Sequence, residues 1–90
     1  MVGDEFLGAL EAVRRTTGYG AHRLARRFGL GPDMMKSLFS GRRRPGRYTA
    51  ISVYGGCLDW LEARPPEPVQ QALMLLMGAV EKLDSSGSIR

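Results

Sequence analysis

Glycine and proline divide this sequence into segments that each fit one short helix, and this punctuation limits the fold more than any other feature. Gly18 follows two threonines, Gly29 follows Phe28, Gly31-Pro32 precedes Asp33, Gly41 follows Ser40, and Arg64 to Pro68 (RPPEP) is a firm break. Glycine ends helices because it enters left-handed backbone without a Cβ clash, and proline suits the first helical position, where a missing N–H is harmless. Between these marks apolar residues recur at the three-and-four spacing of amphipathic helices. The pattern predicts a first helix from Asp4 to Arg15 facing inward through Phe6, Leu7, Leu10 and Val13. A second follows from Ala21 to Phe28 on Leu24, Ala25 and Phe28, and a third starts at Pro32 and ends at Ser40-Gly41. Gly41 to Arg47 (GRRRPGR) reads as a basic loop or arm with poor helix prospects. A last helix runs from about Glu67 to Leu83.

Residues 49–61 read two ways. Ile51, Val53, Tyr54, Cys57, Leu58 and Leu61 fit helical spacing with Thr49 as a cap, whereas Tyr48 to Tyr54 is rich in strand formers and Gly55-Gly56 resembles a hairpin turn. The helix is favoured, with the glycine pair packed closely against a neighbour, because the strand after Gly56 would be too short.

Ninety residues suffice for one small domain. The expected fold is all-α, a compact four- to five-helix bundle. Residues 1–64 form its main body, 67–84 a C-terminal helix packed on the same domain, and 85–90 a flexible tail. Cys57 is the single cysteine, so a disulfide within the chain is excluded, and Cys57 with the single His22 makes a poor zinc site. Oligomerisation is then the simplest source of extra burial. No basic leader before an apolar core and no apolar run near 18 residues is visible. The expectation is a cytoplasmic protein, with no membrane partner, metal, cofactor or small-molecule ligand.

Charge is unevenly placed. Arg14 to Arg47 holds ten basic residues against one acid, Asp33, so this segment carries +9 within a chain of net +4 and the remainder carries −5. Such a layout suits a polyanion on one side and solvent or a partner on the other.

Within that basic block lies a set of steric requirements. Two helices joined by a very short turn cross steeply only if the first is small at the crossing, the turn tolerates unusual backbone angles, and apolar residues lock both to a third helix. Ala25 supplies the small residue, Gly29 the permissive turn four residues later, and Leu24, Leu30, Met35 and Leu38 the apolar wedge. This is the pattern of a DNA-binding helix-turn-helix.

With Gly41, these residues resemble the core of the lambda-repressor/Cro-like (Xre) family of phage and bacterial transcriptional regulators. The match covers about a quarter of the chain, and the helical order extends it to about two thirds. Tyr48-Thr49 and Cys57-Leu58 also resemble, more faintly, anti-CRISPR-associated repressors. Two departures stand out. Gly20-Ala21 occupies the place where a glutamine often opens the second helix and clamps a phosphate, and Gly31-Pro32 replaces the commoner serine-led start of the third.

The resemblance implies a homodimer on a palindromic double-stranded DNA operator, with the third helix in the major groove reading bases through Pro32, Asp33, Lys36, Ser37 and, at the margin, Ser40. Helical spacing independently turns Lys36 and Ser37 away from Met35 and Leu38. Asp33 serves a cytosine amino group or only the helix terminus, and Met34 a thymine methyl or the core. Arg23, Arg26, Arg27, Arg42, Arg43, Arg44 and Arg47 suit phosphates, one of the 42–44 arginines alternatively entering a minor groove. His22 is a phosphate contact or a plain surface residue. Trp60, Tyr48 and Tyr54 read as large groups closing a small core, Trp60 alternatively as a subunit contact. The repeat Val69, Leu73, Leu76, Val80 and Leu83 reads as a dimer seam or as a helix covering its own domain, the seam being favoured.

No serine–histidine–acid, cysteine–histidine or phosphate-loop pattern is present, so an enzyme is not expected. The leading expectation is a transcriptional repressor. The alternatives are a protein-interaction module acting as adaptor or inhibitor, for which methionines suit adaptable contacts, and a DNA-bending recombination accessory factor.

Overall fold

Four of the five described helices open directly after a glycine or a proline, whereas Gly41 is followed by a turn and loop as far as Gly46. The computed structural model describes residues 2–85, and its elements are α1 (Val2–Thr17), α2 (Ala21–Phe28), α3 (Pro32–Ser40), α4 (Arg47–Glu62) and α5 (Glu67–Ser85). The tail expected to be flexible, 85–90, lies outside the described residues apart from Ser85, which ends α5. No helix among the described residues is long and apolar enough to cross a membrane.

Helix α1 runs two residues past its expected end because the threonines serve the helix. The Thr16 and Thr17 hydroxyls donate to the Ala12 and Val13 carbonyls at 2.8 and 2.7 Å. Gly18 then turns left-handed at φ 71°. Arg64, which precedes Pro65, also takes a positive φ of 52° and so leaves the right-handed helical region that a following proline disfavours. Helix α5 restarts at once. The Val69 and Gln70 N–H groups donate to the Pro66 carbonyl, and the Gln70 side chain donates to the Pro65 carbonyl at 2.7 Å.

The ambiguous segment is one helix, and tertiary packing decides it. A Cβ at Gly56 would stand 2.8 Å from both the Arg27 carbonyl oxygen and a Phe28 ring carbon, so α4 meets α2 through the bare glycine backbone. Gly55 has nothing within 4 Å of its Cβ position, so the close approach belongs to Gly56 alone. Two expectations fail here. Helix α4 begins at Arg47, capped by Gly46, so Thr49 is a buried third-position residue and not the cap. Tyr48 does not close the core, because its place in that first turn leaves it 74% exposed.

Helix α5 packs most extensively on α1 and next on α4, while α2 packs on α3 and α4. One continuous core results, from Phe6, Leu10 and Val13 through Leu24, Phe28, Met35 and Leu38 to Val53, Cys57 and Trp60. Val69, Leu73, Leu76, Val80 and Leu83 are all buried in that same core. The stripe favoured as a dimer seam is therefore the inner face of α5, because α1 and α4 already cover it. The radius of gyration, 11.7 Å, agrees with the roughly 12 Å of a compact chain this long.

Candidate nucleic-acid interface

The geometry starts at Gly29. It caps α2 in left-handed backbone (φ 68°, ψ 32°), and its N–H and that of Leu30 both return to the Ala25 carbonyl, Leu30 at 2.8 Å. That closure makes the α2–α3 connection three residues long. Leu24, Ala25, Met35 and Leu38 are buried where the helices meet, and half-buried Leu30 packs beside them. Gly41 ends α3 in the same left-handed way, with the Arg42 N–H donating to the Ser37 carbonyl at 3.2 Å.

With Met35 and Leu38 inward, Asp33, Lys36 and Ser40 share one exposed face of α3 with Pro32 beside them, and Ser37 lies half-buried at its edge. The Ser40 hydroxyl donates to the Ser37 carbonyl at 3.0 Å, so it is partly committed within the helix. Lys36 and Ser40 line an open groove of about 750 Å³, together with Arg14, Arg15 and the segment from Gly18 to Ala21. Arg14 is tied to Glu11 at 2.6 Å and lies 5.3 Å from the Phe39 ring centroid, whereas Arg15 is exposed at the rim.

Helix α2 turns His22, Arg23, Arg26 and Arg27 outward. Two of these arginines rest on aromatic rings. Arg23 lies 3.8 Å from the Tyr19 centroid and Arg27 lies 4.7 Å from that of Trp60. The two rings stack on each other at 5.7 Å and 14°. Cation–π contact of this kind restrains a side chain that would otherwise sample many rotamers. Tyr19 also borders the α3 groove, which joins the two cationic areas around the start of α2. Helices α2, α3 and α4 are each capped by a glycine with no side-chain hydrogen bond, leaving first-turn N–H groups free for an acceptor from outside.

Arg42, Arg43 and Arg44 are exposed, and the segment is fixed at its far end by buried Pro45. Arg43 reaches back toward α3, its Nη1 3.7 Å from the Met34 sulfur. Arg47 stands apart from this group. As the first residue of α4 it lines the α4–α5 groove, about 460 Å³, with Ile51, Tyr54 and Glu81.

Sequence reasoning left three residues of this region unassigned: Arg14, Arg15 and Tyr19. The arginines were visible in the basic block. The role of Tyr19 depends on a stacking partner in α4 and has no local signature. Trp60 is 4% exposed, so its ring is a core group that also supports Arg27. Cys57 is fully buried, and that burial pushes its thiol up to about 12. Compared with known proteins, the chain matches no family model, no curated protein and no solved structure at a significant level.

Proposed function

We propose that this chain is a sequence-specific double-stranded DNA-binding protein acting as a homodimeric transcriptional repressor, with α2, the Gly29 turn and α3 forming a helix-turn-helix of the lambda-repressor/Cro-like kind. The observation that carries this reading is the exposed face of α3. It presents Lys36 beside a groove lined by Arg15 and by Arg14, which is paired there with Glu11, and Lys36 lies in a segment, Arg14 to Arg47, whose one acid is Asp33.

In this reading phosphates meet Arg23, Arg26, Arg27 and the Arg42–Arg44 segment, together with free first-turn N–H groups of α2. Lys36 reaches guanine acceptors in the major groove, Asp33 and Ser37 add polar contacts at its edge, and Pro32 allows close backbone approach. Repression follows from occupying the operator, with no bond made or broken.

The test is titration of purified protein against labelled fragments from upstream of its own gene, at two salt concentrations and with competitor DNA. One tightly bound fragment with a protected palindrome supports the reading. Weak, uniform or absent binding refutes it. A second reading, a module for a different protein, is favoured by exposed Ile51, Met74 and Leu75. It is distinguished by a stable heteromeric complex and no salt-sensitive DNA binding.

A further inference from the structure

Arg47, Ile51, Gly55, Leu58 and Glu62 follow one another along α4 at intervals of four, four, three and four, and all are exposed. That spacing places them on one helix face. Ile51 is 62% and Leu58 48% exposed. The stripe is nearly symmetric about Gly55: a charge, an apolar residue, glycine, an apolar residue and the opposite charge.

We propose that a second copy of this chain docks on this face, its α4 antiparallel to the first about a two-fold axis at Gly55. A two-fold interface must be self-complementary, each residue meeting its counterpart reciprocally. Here Arg47 meets Glu62 of the other copy, Ile51 meets Leu58, and Gly55 meets Gly55.

Two features that the single chain leaves unexplained support this occupant. Arg47 sits at the positive end of α4 and Glu62 at the negative end, the reverse of what the helix dipole favours. Among the described residues the ion pairs are Arg14–Glu11 and Lys82–Glu5, and neither Arg47 nor Glu62 joins one. Antiparallel pairing gives each a partner of opposite sign and opposes the two dipoles. The second feature is Gly55. Glycine is disfavoured inside a helix, and no neighbour in the chain requires it here, in contrast to Gly56. At the centre of a helix pair, its missing side chain lets two backbones approach.

The inference rests on the dimeric half of the proposed function for why two copies are needed, and on α4 for where they meet. It is tested on the full chain without DNA by sedimentation equilibrium. Wild type is expected to be dimeric. Gly55→Leu should become monomeric while keeping the helix content of wild type by circular dichroism, because a Cβ there meets nothing in the chain; it loses only the stability that the dimer adds by mass action. Arg47→Glu and Glu62→Arg should each weaken the dimer at least about tenfold, and the double variant should restore it. A monomeric wild type, a dimer indifferent to these changes, or a double variant as weak as the singles would overturn the proposal. The same samples titrated with DNA separate the two readings. A dimer with this pattern that ignores DNA refutes DNA binding and supports the interface, whereas a DNA-binding monomer supports DNA binding and refutes both the interface and the dimeric half of the proposed function.

Discussion

The guanidinium of Arg27 lies over the Trp60 ring, 4.7 Å from its centroid, and that ring stacks on Tyr19, which carries Arg23 at 3.8 Å. Two cations on α2 are thereby fixed by rings from outside that helix. Trp60 connects the hydrophobic core to the charged surface, since it also meets the Phe28 ring, with centroids 6.0 Å apart.

The first prediction concerns that ladder. Tyr19→Leu keeps an apolar side chain and removes the ring. It should cost about 1–2 kcal/mol of stability through the lost Arg23 contact and the lost stack on Trp60. If α2 meets phosphates, it should also weaken specific and competitor DNA to a similar degree. Urea unfolding and fragment titration measure the two effects. Full retention of both would reduce the ladder to surface packing.

Gly56 provides a second, purely structural prediction. Gly56→Ala forces α4 away from the Arg27 carbonyl and should destabilise the chain by about 1–3 kcal/mol, the usual cost of overpacking. Gly8→Ala is the control. That residue is exposed in α1 with nothing within 4 Å of its Cβ position, and alanine there should stabilise by about 0.5–1 kcal/mol. Stabilisation by both would mean that helix propensity, and not close approach, governs the result.

Leu76 tests the assignment of the α5 stripe. It is fully buried in the chain's own core, so Leu76→Ala should lower unfolding stability by about 2–5 kcal/mol. Because the lost contacts lie within one chain, the loss should not depend on protein concentration. A loss that disappears on dilution would return the stripe to a subunit seam.

The Cys57 thiol gives a pH signature. Its ordinary value is 9.0 and burial raises it to about 12, so the folded chain holds this proton more tightly than the unfolded chain. Its contribution is therefore complete below about pH 9 and is lost as pH rises toward about 12. Urea unfolding at about pH 8 and about pH 10 should show a larger fall for wild type than for Cys57→Ala, whose starting stability is lower. Parallel falls in the two proteins would assign the pH dependence to other groups.

The residues show why some elements were readable in the sequence and others were not. Gly29, Gly31-Pro32 and Gly41 encode the bounds of α2 and α3 locally, through backbone angle and a missing N–H, and both helices match the reading residue for residue. Helix α4 was ambiguous because Tyr48 to Tyr54 favours strand locally, and contact between Gly56 and Phe28 outweighs that preference. Periodicity identified the apolar face of α5 but contains no information on whether its cover belongs to the same chain. The cationic block was legible from composition. Its division into an α2–α3 region and a separate Arg47 was not, since only the completed start of α4 takes Arg47 into the groove with Glu81.

The most direct test of the central claim, that α3 reads bases while α2 holds phosphates, compares Lys36→Ala with Arg26→Ala on one protected operator fragment and on competitor DNA. Both residues are exposed, so neither change should disturb the fold. Lys36→Ala should lower operator affinity by about 1–3 kcal/mol and leave competitor binding nearly unchanged. Arg26→Ala should weaken both alike and reduce the salt dependence. Equal losses on both DNAs from Lys36→Ala, or no loss at all, would contradict base reading by α3.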